Sequence, residues 1–155
     1  MKRWLVVGAV VAVVLVSRPV ASQKLVLPQD PVATFSYLTE ELHRRGLLYL
    51  HVAEPIAGPS AVSSRSRITP ILRHLFDGAV IVNGGYDRAS GDAAVAAGDA
   101  DLVAYGVPFL ANPDLPERFR RDAELNQPDT TTFYMGEETG YIDYPTLESA
   151  QAVPV

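Results

Sequence analysis

Three short apolar runs alternate along the chain with stretches in which apolar residues recur at helical spacing. The runs occupy residues 47–52, 79–83 and 101–105, and each is followed within a few residues by glycine or proline. The β-branched sequence Val80-Ile81-Val82 is typical of a strand covered on both faces, as in a parallel sheet. Strands that alternate with helices indicate parallel pairing through right-handed crossovers. The pattern therefore predicts an α/β fold.

The first predicted helix has clear start and stop signals. Asp30 suits the N-cap and Pro31 the first helical position, while Gly46 favours termination. Further helices are predicted over residues 68–76, 92–97 and 113–122. Residues 55–66 are rich in Pro, Gly and Ser and predict a loop, and residues 126–145 predict an irregular tail.

The N-terminal segment has two interpretations. A basic start at residues 1–4 precedes the apolar run Leu5–Val16, and small residues surround a potential cleavage point after Ser22. This order is typical of a secretory signal peptide, and the run is shorter than the ~20 apolar residues that a transmembrane helix needs. The same valine-rich run also fits a buried parallel strand. The sequence leaves both interpretations open.

Composition narrows the classes of function. The chain has 155 residues, 13 Lys plus Arg, 18 Asp plus Glu and a net charge of −5. This acidic balance, without a basic run, argues against a nucleic-acid partner. The absence of cysteine excludes disulfides, thiolate metal sites and cysteine nucleophiles. The length suits one domain but falls short of the roughly 200 residues that a complete (β/α)₈ barrel needs.

Glycines follow the second and third predicted strands. Gly84 and Gly85 come directly after residues 79–83, and Gly106 comes directly after residues 101–105. Glycine permits positive φ and a close approach of the backbone to a ligand. Many eight-stranded βα barrels hold a phosphate at the loops after their last two strands. The two turns therefore favour a shared phosphate site, with tight turns that bind no ligand as the alternative.

Several motifs resemble those of one known family. They are Tyr49–Pro55, Gly84–Arg88, Gly98–Gly106, Phe109–Leu115, Glu124–Asn126, Thr132–Tyr134 and Gly140–Pro145. In these motifs, and in their order and spacing, residues 30–147 resemble the C-terminal part of the old yellow enzyme family. These are FMN-dependent ene-reductases that include the plant 12-oxophytodienoate reductases. The resemblance covers about three quarters of this chain, but only about the last third of a typical member.

The resemblance implies a fold and a division of the chain. The fold class is α/β, a partial (β/α)₈ TIM barrel made of about the last three βα units and a C-terminal tail. Residues 1–29 would be the apolar N-terminal segment, residues 30–148 the FMN-binding barrel part and residues 149–155 the tail. Three or four strands cannot close a barrel, so we expect open edges that favour self-association or a complementing half-barrel.

The resemblance also implies a site for the FMN phosphate. Gly84 and Gly85 match the family's backbone donors after strand seven, and Gly106 matches the glycine of a Gly-Arg pair after strand eight. Val107 stands in place of that arginine and offers neither charge nor donors. Losing such a charged partner costs about 1.5–3 kcal/mol, so weakened FMN binding is expected. Arg88 is expected either to be exposed to solvent or to compensate in part.

The tail aromatics carry the remaining cofactor expectation. Tyr134 matches the family's aromatic residue that packs beside the flavin ring. Phe133 is an equal candidate for an aromatic that pins the tail to the barrel mouth. Tyr141 and Tyr144 are expected to anchor the tail rather than to touch a ligand.

No catalytic residue and no metal ligand are predicted in this chain. The family binds the substrate carbonyl with a His-x-x-Asn or His-x-x-His pair and protonates the alkene with a tyrosine, and both lie upstream of the matching region. The histidines His43, His51 and His74 are followed three residues later by Gly46, Glu54 and Asp77. None of them forms such a pair, and His51, in a strand that resembles the family's Tyr-Leu-His run, is expected to be a packing residue.

The resemblance thus implies an FMN-binding oxidoreductase that reduces activated alkenes such as enones with NAD(P)H, present as a C-terminal fragment with little turnover alone. The alternative is a catalytically inactive fragment, or an interaction partner, that lacks the substrate-binding and proton-donor residues. A third hypothesis, a secreted binding protein, requires Leu5–Val16 to be a cleaved signal. Otherwise a cytoplasmic location is expected. The sequence does not indicate the natural substrate or the choice between NADH and NADPH.

Overall fold

The computed structural model of the chain describes residues 15–16, 30–58, 61–63, 67–135 and 137–151. Its strands are β1 (Leu15–Val16), β2 (Tyr49–Ala53), β3 (Ala79–Asn83) and β4 (Leu102–Val103). Its α-helices are α1 (Pro31–Arg44), α2 (Thr69–Leu75), α3 (Arg88–Ala96), α4 (Val107–Ala111), α5 (Leu115–Arg121) and α6 (Leu147–Gln151). A single 3₁₀ turn covers Thr130–Thr132.

The strands form one parallel sheet in the order β1-β2-β3-β4. The central pair is in register from Tyr49 opposite Ala79 to Ala53 opposite Asn83. Because all four strands run in the same direction, their carboxyl ends lie at one edge of the sheet. This arrangement confirms the predicted α/β fold.

Alternate residues of the central strands build the core of the sheet. Leu50 and Val52 of β2 and Val80 and Val82 of β3 are buried, whereas the residues between them are half-buried. A strand places successive side chains on opposite faces, so these four side chains share one face. The opposite face is less completely covered within the described residues.

The ends of α1 follow the local signals in the sequence. The Asp30 side chain accepts a hydrogen bond from the Ala33 N–H at 3.0 Å and caps the helix. After the last helical turn, Gly46 adopts φ +69° and its N–H donates to the His43 carbonyl at 2.9 Å. Glycine adopts this left-handed conformation without the steric cost of a Cβ.

Three other elements differ from their predicted bounds. Helix α3 begins at Arg88, four residues before the predicted start, and β4 is shorter than residues 101–105. Helix α4 was predicted only as a turn. It forms because Gly106 occupies its N-cap and Pro108 lies in its first turn, where the missing N–H is not needed.

The chain divides into two compact units. The first comprises residues 1–86 and 90–103, and the second comprises residues 87–89 and 104–155. The described part of the first unit contains the sheet with α1 and α2. The second contains α4, α5, the 3₁₀ turn and α6, and its buried residues include Ala111, Asn112, Leu115 and Arg118.

Most of the apolar N-terminal run lies outside the described residues. Its last two residues, Leu15 and Val16, pair in parallel with Val52 and Ala53 of β2. This pairing supports the strand interpretation of the run. Among the helices of the described residues, none combines the length and the apolar character needed to cross a membrane.

Candidate functional site

The turn after β3 requires glycine at both of its predicted site positions. Gly84 has φ +126° and Gly85 has φ +85°. A Cβ on Gly84 would lie 2.6 Å from the Glu54 carbonyl oxygen, and one on Gly85 would lie 3.1 Å from the Ala57 Cβ. Backbone conformation and packing therefore account for both glycines before any ligand is considered.

The same turn keeps its hydrogen-bond donors available. The Gly84 carbonyl accepts from the Ile56 N–H at 2.7 Å, and the Asn83 carbonyl accepts from the Glu54 N–H at 3.0 Å. Within the described part of the chain, the amides of Gly84 and Gly85 donate to no acceptor. Two successive amides without an acceptor can bind an anion, because backbone N–H groups readily donate hydrogen bonds to phosphate oxygens.

Glu54, beside this turn, is a buried carboxylate that the sequence reasoning did not identify. It is 5% exposed, and its Oε1 accepts from the Ile68 N–H at 2.8 Å. Its Oε2 accepts from the Thr69 N–H at 3.1 Å and from the Thr69 hydroxyl at 2.5 Å. Because Ile68 cannot cap α2 with its own side chain, Glu54 caps that helix from the end of β2.

Arg67 connects Glu54 to Tyr86, the residue after the glycine pair. Its Nε lies 3.6 Å from Glu54 Oε2, and its Nη2 donates to the Tyr86 hydroxyl at 2.8 Å. Tyr86 is 5% exposed. Burial raises the pKa of Tyr86, and the neighbouring Arg67 charge offsets part of that rise. No local sequence pattern could have revealed this contact.

The predicted site residues after β4 lie in the second unit. Gly106 has φ −82°, and a Cβ added there would meet no atom within 4 Å. Neither conformation nor packing therefore requires glycine at this position. Val107 is 44% exposed and carries no charge, so the position predicted to bind phosphate through arginine has no cation.

Arg88, the proposed compensating cation, is paired elsewhere. Its Nη1 forms an ion pair with the Asp122 carboxylate, and both side chains are substantially exposed. An exposed pair of this kind contributes little to stability because solvent screens it. In this structure the Arg88 charge is therefore engaged by Asp122.

The tail residues occupy different environments. Tyr134 is 96% exposed and has φ +60°, a conformation that costs a residue with a Cβ about 1–2 kcal/mol. Its N–H donates to the Tyr141 hydroxyl at 2.8 Å, and the Asp129 N–H donates to the Tyr144 hydroxyl at 2.7 Å. Both hydroxyls thus stabilise the tail, which agrees with the anchoring role expected for Tyr141 and Tyr144. Phe133 is half-buried.

A second polar network, also missed from the sequence, holds the end of the tail. Arg118 is buried and donates to Asp114 Oδ1 at 2.7 Å, to the Glu124 carbonyl at 2.5 Å and to the Pro145 carbonyl at 2.8 Å. Asp114 Oδ2 accepts from the Leu147 N–H at 2.7 Å. Burial would raise the pKa of Asp114, but the hydrogen bonds from Leu147 and Arg118 hold it below the ordinary value.

The three histidines have different surroundings. His43 Nε2 lies 3.5 Å from Asp77 Oδ2, and His74 Nδ1 lies 2.6 Å from the Pro70 carbonyl oxygen. His51 Nε2 is buried and has no hydrogen-bond partner among the described residues. Burial lowers the pKa of His51, so the neutral imidazole is favoured there.

Comparison with known proteins identifies the family of this chain. Residues 7–126 match the model of the NADH:flavin oxidoreductase / NADH oxidase family. The chain belongs to this family. The match confirms the resemblance to old yellow enzymes and begins well before Asp30, where the motifs had placed its start.

The relatives include plant enzymes. The chain is 49% identical over 124 residues to 12-oxophytodienoate reductase 1 of Oryza sativa subsp. japonica, covering 77% of this chain and 32% of the relative. It is 45% identical over 122 residues to 12-oxophytodienoate reductase 2 of Arabidopsis thaliana, covering 77% and 33%. The chain thus spans about a third of the length of the curated relatives it matches.

Solved structures agree. Morphinone reductase superposes with a TM-score of 0.73 at 43% identity, covering 83% of this chain and 34% of that structure. Morphinone reductase in complex with tetrahydroNAD gives a TM-score of 0.69 at 44% identity, covering 83% and 34%. The parallel sheet and its helices therefore form part of a TIM barrel, as predicted.

Proposed function

We propose that the backbone of Gly84 and Gly85, in the first unit, supplies part of an FMN phosphate site, and that Gly106, in the second unit, is a separate phosphate-contact position carried by the family resemblance. The observation that carries the proposal is the pair of amides after β3 that have no acceptor among the described residues. At Gly106 an added Cβ would meet no described atom within 4 Å, so packing among the described residues does not account for this glycine. Phosphate sites after the last two strands are common in TIM barrels.

The side chains near this site fit a phosphate less well than the backbone amides do, because they supply no free cation among the described residues. Val107 has no donor, and Arg88 is paired with Asp122. A charge-assisted hydrogen bond contributes about 1.5–3 kcal/mol, which corresponds to roughly tenfold to hundredfold in affinity. We therefore propose that this chain binds FMN more weakly than a relative with arginine at the position of Val107.

The activity proposed for the assembled barrel is NAD(P)H-dependent reduction of an activated alkene, with a small enone as the substrate class. FMN, when bound, supplies the hydride-transfer chemistry that no protein side chain provides. The residues of this chain would bind the cofactor phosphate through backbone amides and bring Tyr134, which is almost fully exposed, toward the flavin. No histidine of this chain is assigned a catalytic role.

FMN titration of the purified chain, followed by flavin fluorescence and calorimetry, tests the proposal. Riboflavin serves as the matched ligand because it lacks only the phosphate. Saturable binding of FMN at micromolar concentration, with weaker binding of riboflavin, is expected if the glycine turns hold the phosphate. Equal affinity for the two ligands would show that the phosphate is not recognised. No binding up to millimolar FMN would contradict a flavin site in the isolated chain.

A second candidate is an inactive chain that acts only after a complementing part of the barrel binds it. The uneven burial of β2 and β3 favours it: Leu50 and Val80 are fully buried on one face, whereas His51 and Ile81 on the other are half-buried. In a closed barrel both faces of each strand are covered. The partner proposed is therefore a polypeptide that carries the remaining strands, or a second copy of this chain.

Co-expression distinguishes these partners. The chain would be produced with the N-terminal two thirds of the Arabidopsis relative, purified through a tag on one piece and assayed for bound flavin and NADPH oxidation. Recovery of both pieces with FMN supports complementation. A concentration-dependent dimer of the chain alone, measured by analytical ultracentrifugation, would favour self-association instead.

We also propose a cytoplasmic location. The parallel pairing of Leu15 and Val16 with β2 supports a strand at the end of the apolar run rather than a cleaved signal. N-terminal sequencing of the mature chain tests this proposal, since cleavage after Ser22 would indicate secretion.

A further inference from the structure

Three side chains of the first unit form a buried polar group that we call the Glu54 network: Glu54, Arg67 and Tyr86. Glu54 and Tyr86 are buried, and the Arg67 side chain is largely shielded from solvent. Burying a carboxylate and a guanidinium is unfavourable unless both are paired and hydrogen-bonded. In some known proteins, buried ionic groups that are unfavourable for stability fix the local conformation.

The Glu54 network lies at both ends of the Gly84–Gly85 turn. On one side, the main chain of Glu54 packs against Gly84 so closely that a Cβ would be 2.6 Å from its carbonyl oxygen. The Ile56 N–H donates to the Gly84 carbonyl at 2.7 Å on the same side. On the other side, Arg67 donates to the hydroxyl of Tyr86, the residue that follows Gly85.

Capping of α2 does not explain the whole network. That cap needs only the Glu54 carboxylate with the N–H groups of Ile68 and Thr69 and the Thr69 hydroxyl. Arg67 and Tyr86 add nothing to it, because the Arg67–Tyr86 bond lies outside the helix. Their contact instead ties the end of the turn to the loop that precedes α2.

We propose that Arg67 and Tyr86 are positioning residues that fix the Gly84–Gly85 turn in its phosphate-binding conformation. Glu54 holds the Arg67 guanidinium by charge, Arg67 holds the Tyr86 hydroxyl, and the turn between them keeps its two amides unpaired. A preorganised turn binds its ligand more tightly because less conformational freedom is lost on binding. The inference rests on the proposed function in one respect, the assignment of the phosphate to this turn.

The test uses the full chain and the variant Tyr86→Phe, which removes one hydroxyl and keeps the buried ring. Tyr37→Phe is the matched control, since Tyr37 lies 65% exposed on α1. Arg67→Lys supports the first variant, because lysine keeps a charge beside Glu54 but lacks the fork that reaches two partners. Hydrogen exchange of the Ile56 amide, which reports on the turn through its bond to the Gly84 carbonyl, and the Kd for FMN are measured in each.

The expected result is selective. Tyr86→Phe and Arg67→Lys should raise exchange of the Ile56 amide, which donates to the Gly84 carbonyl, about tenfold while the β2 and β3 amides keep their protection, as a local opening does. The Kd for FMN should rise by about threefold to tenfold, because the turn loses the stabilisation that one net hydrogen bond provides. Tyr37→Phe should change neither quantity.

Each contrary result has a definite meaning. Unchanged exchange at the turn in Tyr86→Phe and Arg67→Lys would overturn the proposal whether or not FMN binds. Faster exchange with an unchanged Kd for FMN would overturn it as well, because the order of the turn would not serve binding. If the wild-type chain binds no FMN, the proposed function fails, and selective loss of exchange protection at the turn still supports the positioning role.

Discussion

Asn112 and Asn126 join two distant segments of the second unit through their side chains. The Asn126 N–H donates to Asn112 Oδ1 at 2.8 Å, and Asn126 Nδ2 donates to the Ala111 and Pro145 carbonyls, each at 2.8 Å. Asn112 is 1% exposed. The start of the tail is therefore held by the buried side chain of Asn112 and the half-buried side chain of Asn126.

Asn112→Ala is expected to destabilise the chain by about 2–3 kcal/mol. The substitution leaves the part-buried Asn126 N–H without its acceptor, and an unsatisfied buried group costs about 1–3 kcal/mol in addition to the packing lost at the buried Asn112. Urea unfolding followed by circular dichroism measures the change. Gln127→Ala removes the same carboxamide at an exposed neighbouring position and should change the free energy of unfolding by less than about 0.5 kcal/mol. Equal effects of the two variants would contradict the prediction.

Asp114 should make the stability depend on pH in the acid range. Its pKa is lowered in the folded chain, so the unfolded chain binds the proton more readily and the ionised form favours folding. This contribution is present above the ordinary value of 3.8 and is lost as pH falls from there through the lowered folded pKa.

Asp114→Asn tests the sign. The difference in unfolding free energy between wild type and Asp114→Asn should be constant from about pH 7 to about pH 5 and shrink below about pH 4. Glu137→Gln, at an exposed site in the tail, controls for the loss of one negative charge. A difference that grows as the pH falls would show that Asp114 is not stabilised by Arg118 and Leu147.

The two glycine turns should respond differently to alanine. Gly84→Ala is expected to destabilise the chain by at least about 1–3 kcal/mol, because φ +126° is closed to residues with a Cβ. Gly106→Ala should cost less, about 0.5–1 kcal/mol for the loss of a favoured N-cap residue, since φ is −82° and the added methyl meets no described atom within 4 Å. If Gly106 serves the cofactor, this variant should nevertheless bind FMN more weakly than wild type. Thermal unfolding and FMN titration of both variants separate the two roles, and unchanged FMN affinity in Gly106→Ala would exclude Gly106 from the site.

The sequence predicts those elements whose signals are local. Strand β3 spans the predicted residues 79–83, and α1 begins after the predicted cap at Asp30. Helix α4 is not predicted because five residues are too few to show helical periodicity. Pro108 near its start is the signal that was available.

The candidate site also contains residues that local sequence signals predict and residues that they do not. The turn at Gly84 and Gly85 is predictable because a backbone with positive φ favours glycine, and two consecutive glycines are visible in the sequence. The link from Arg67 to Tyr86 is not predictable, because those residues are 19 positions apart in the chain and meet only in the folded structure. Pairing of Arg88 with Asp122 likewise depends on tertiary structure. Charge partners of this kind cannot be derived from spacing alone.

Restoring the cation is the most direct test of the FMN site. Val107→Arg should increase FMN affinity by about tenfold to hundredfold, because arginine can grip a phosphate with two charge-assisted hydrogen bonds. Val107 is exposed, so the substitution should not disturb the core. Isothermal titration calorimetry with FMN and with riboflavin measures the change, and the gain should be confined to FMN.

Phe109→Arg provides the matched control for Val107→Arg. Phe109 lies on the same helix, α4, and is also exposed, so the variant adds the same charge two positions along. A general attraction between added positive charge and the anionic cofactor would raise FMN affinity in both variants and would weaken at high salt. Specific recognition requires that only Val107→Arg gains affinity. If neither variant gains, the phosphate does not lie beside position 107, and the resemblance at Gly106 reflects shared folding rather than a retained cofactor site.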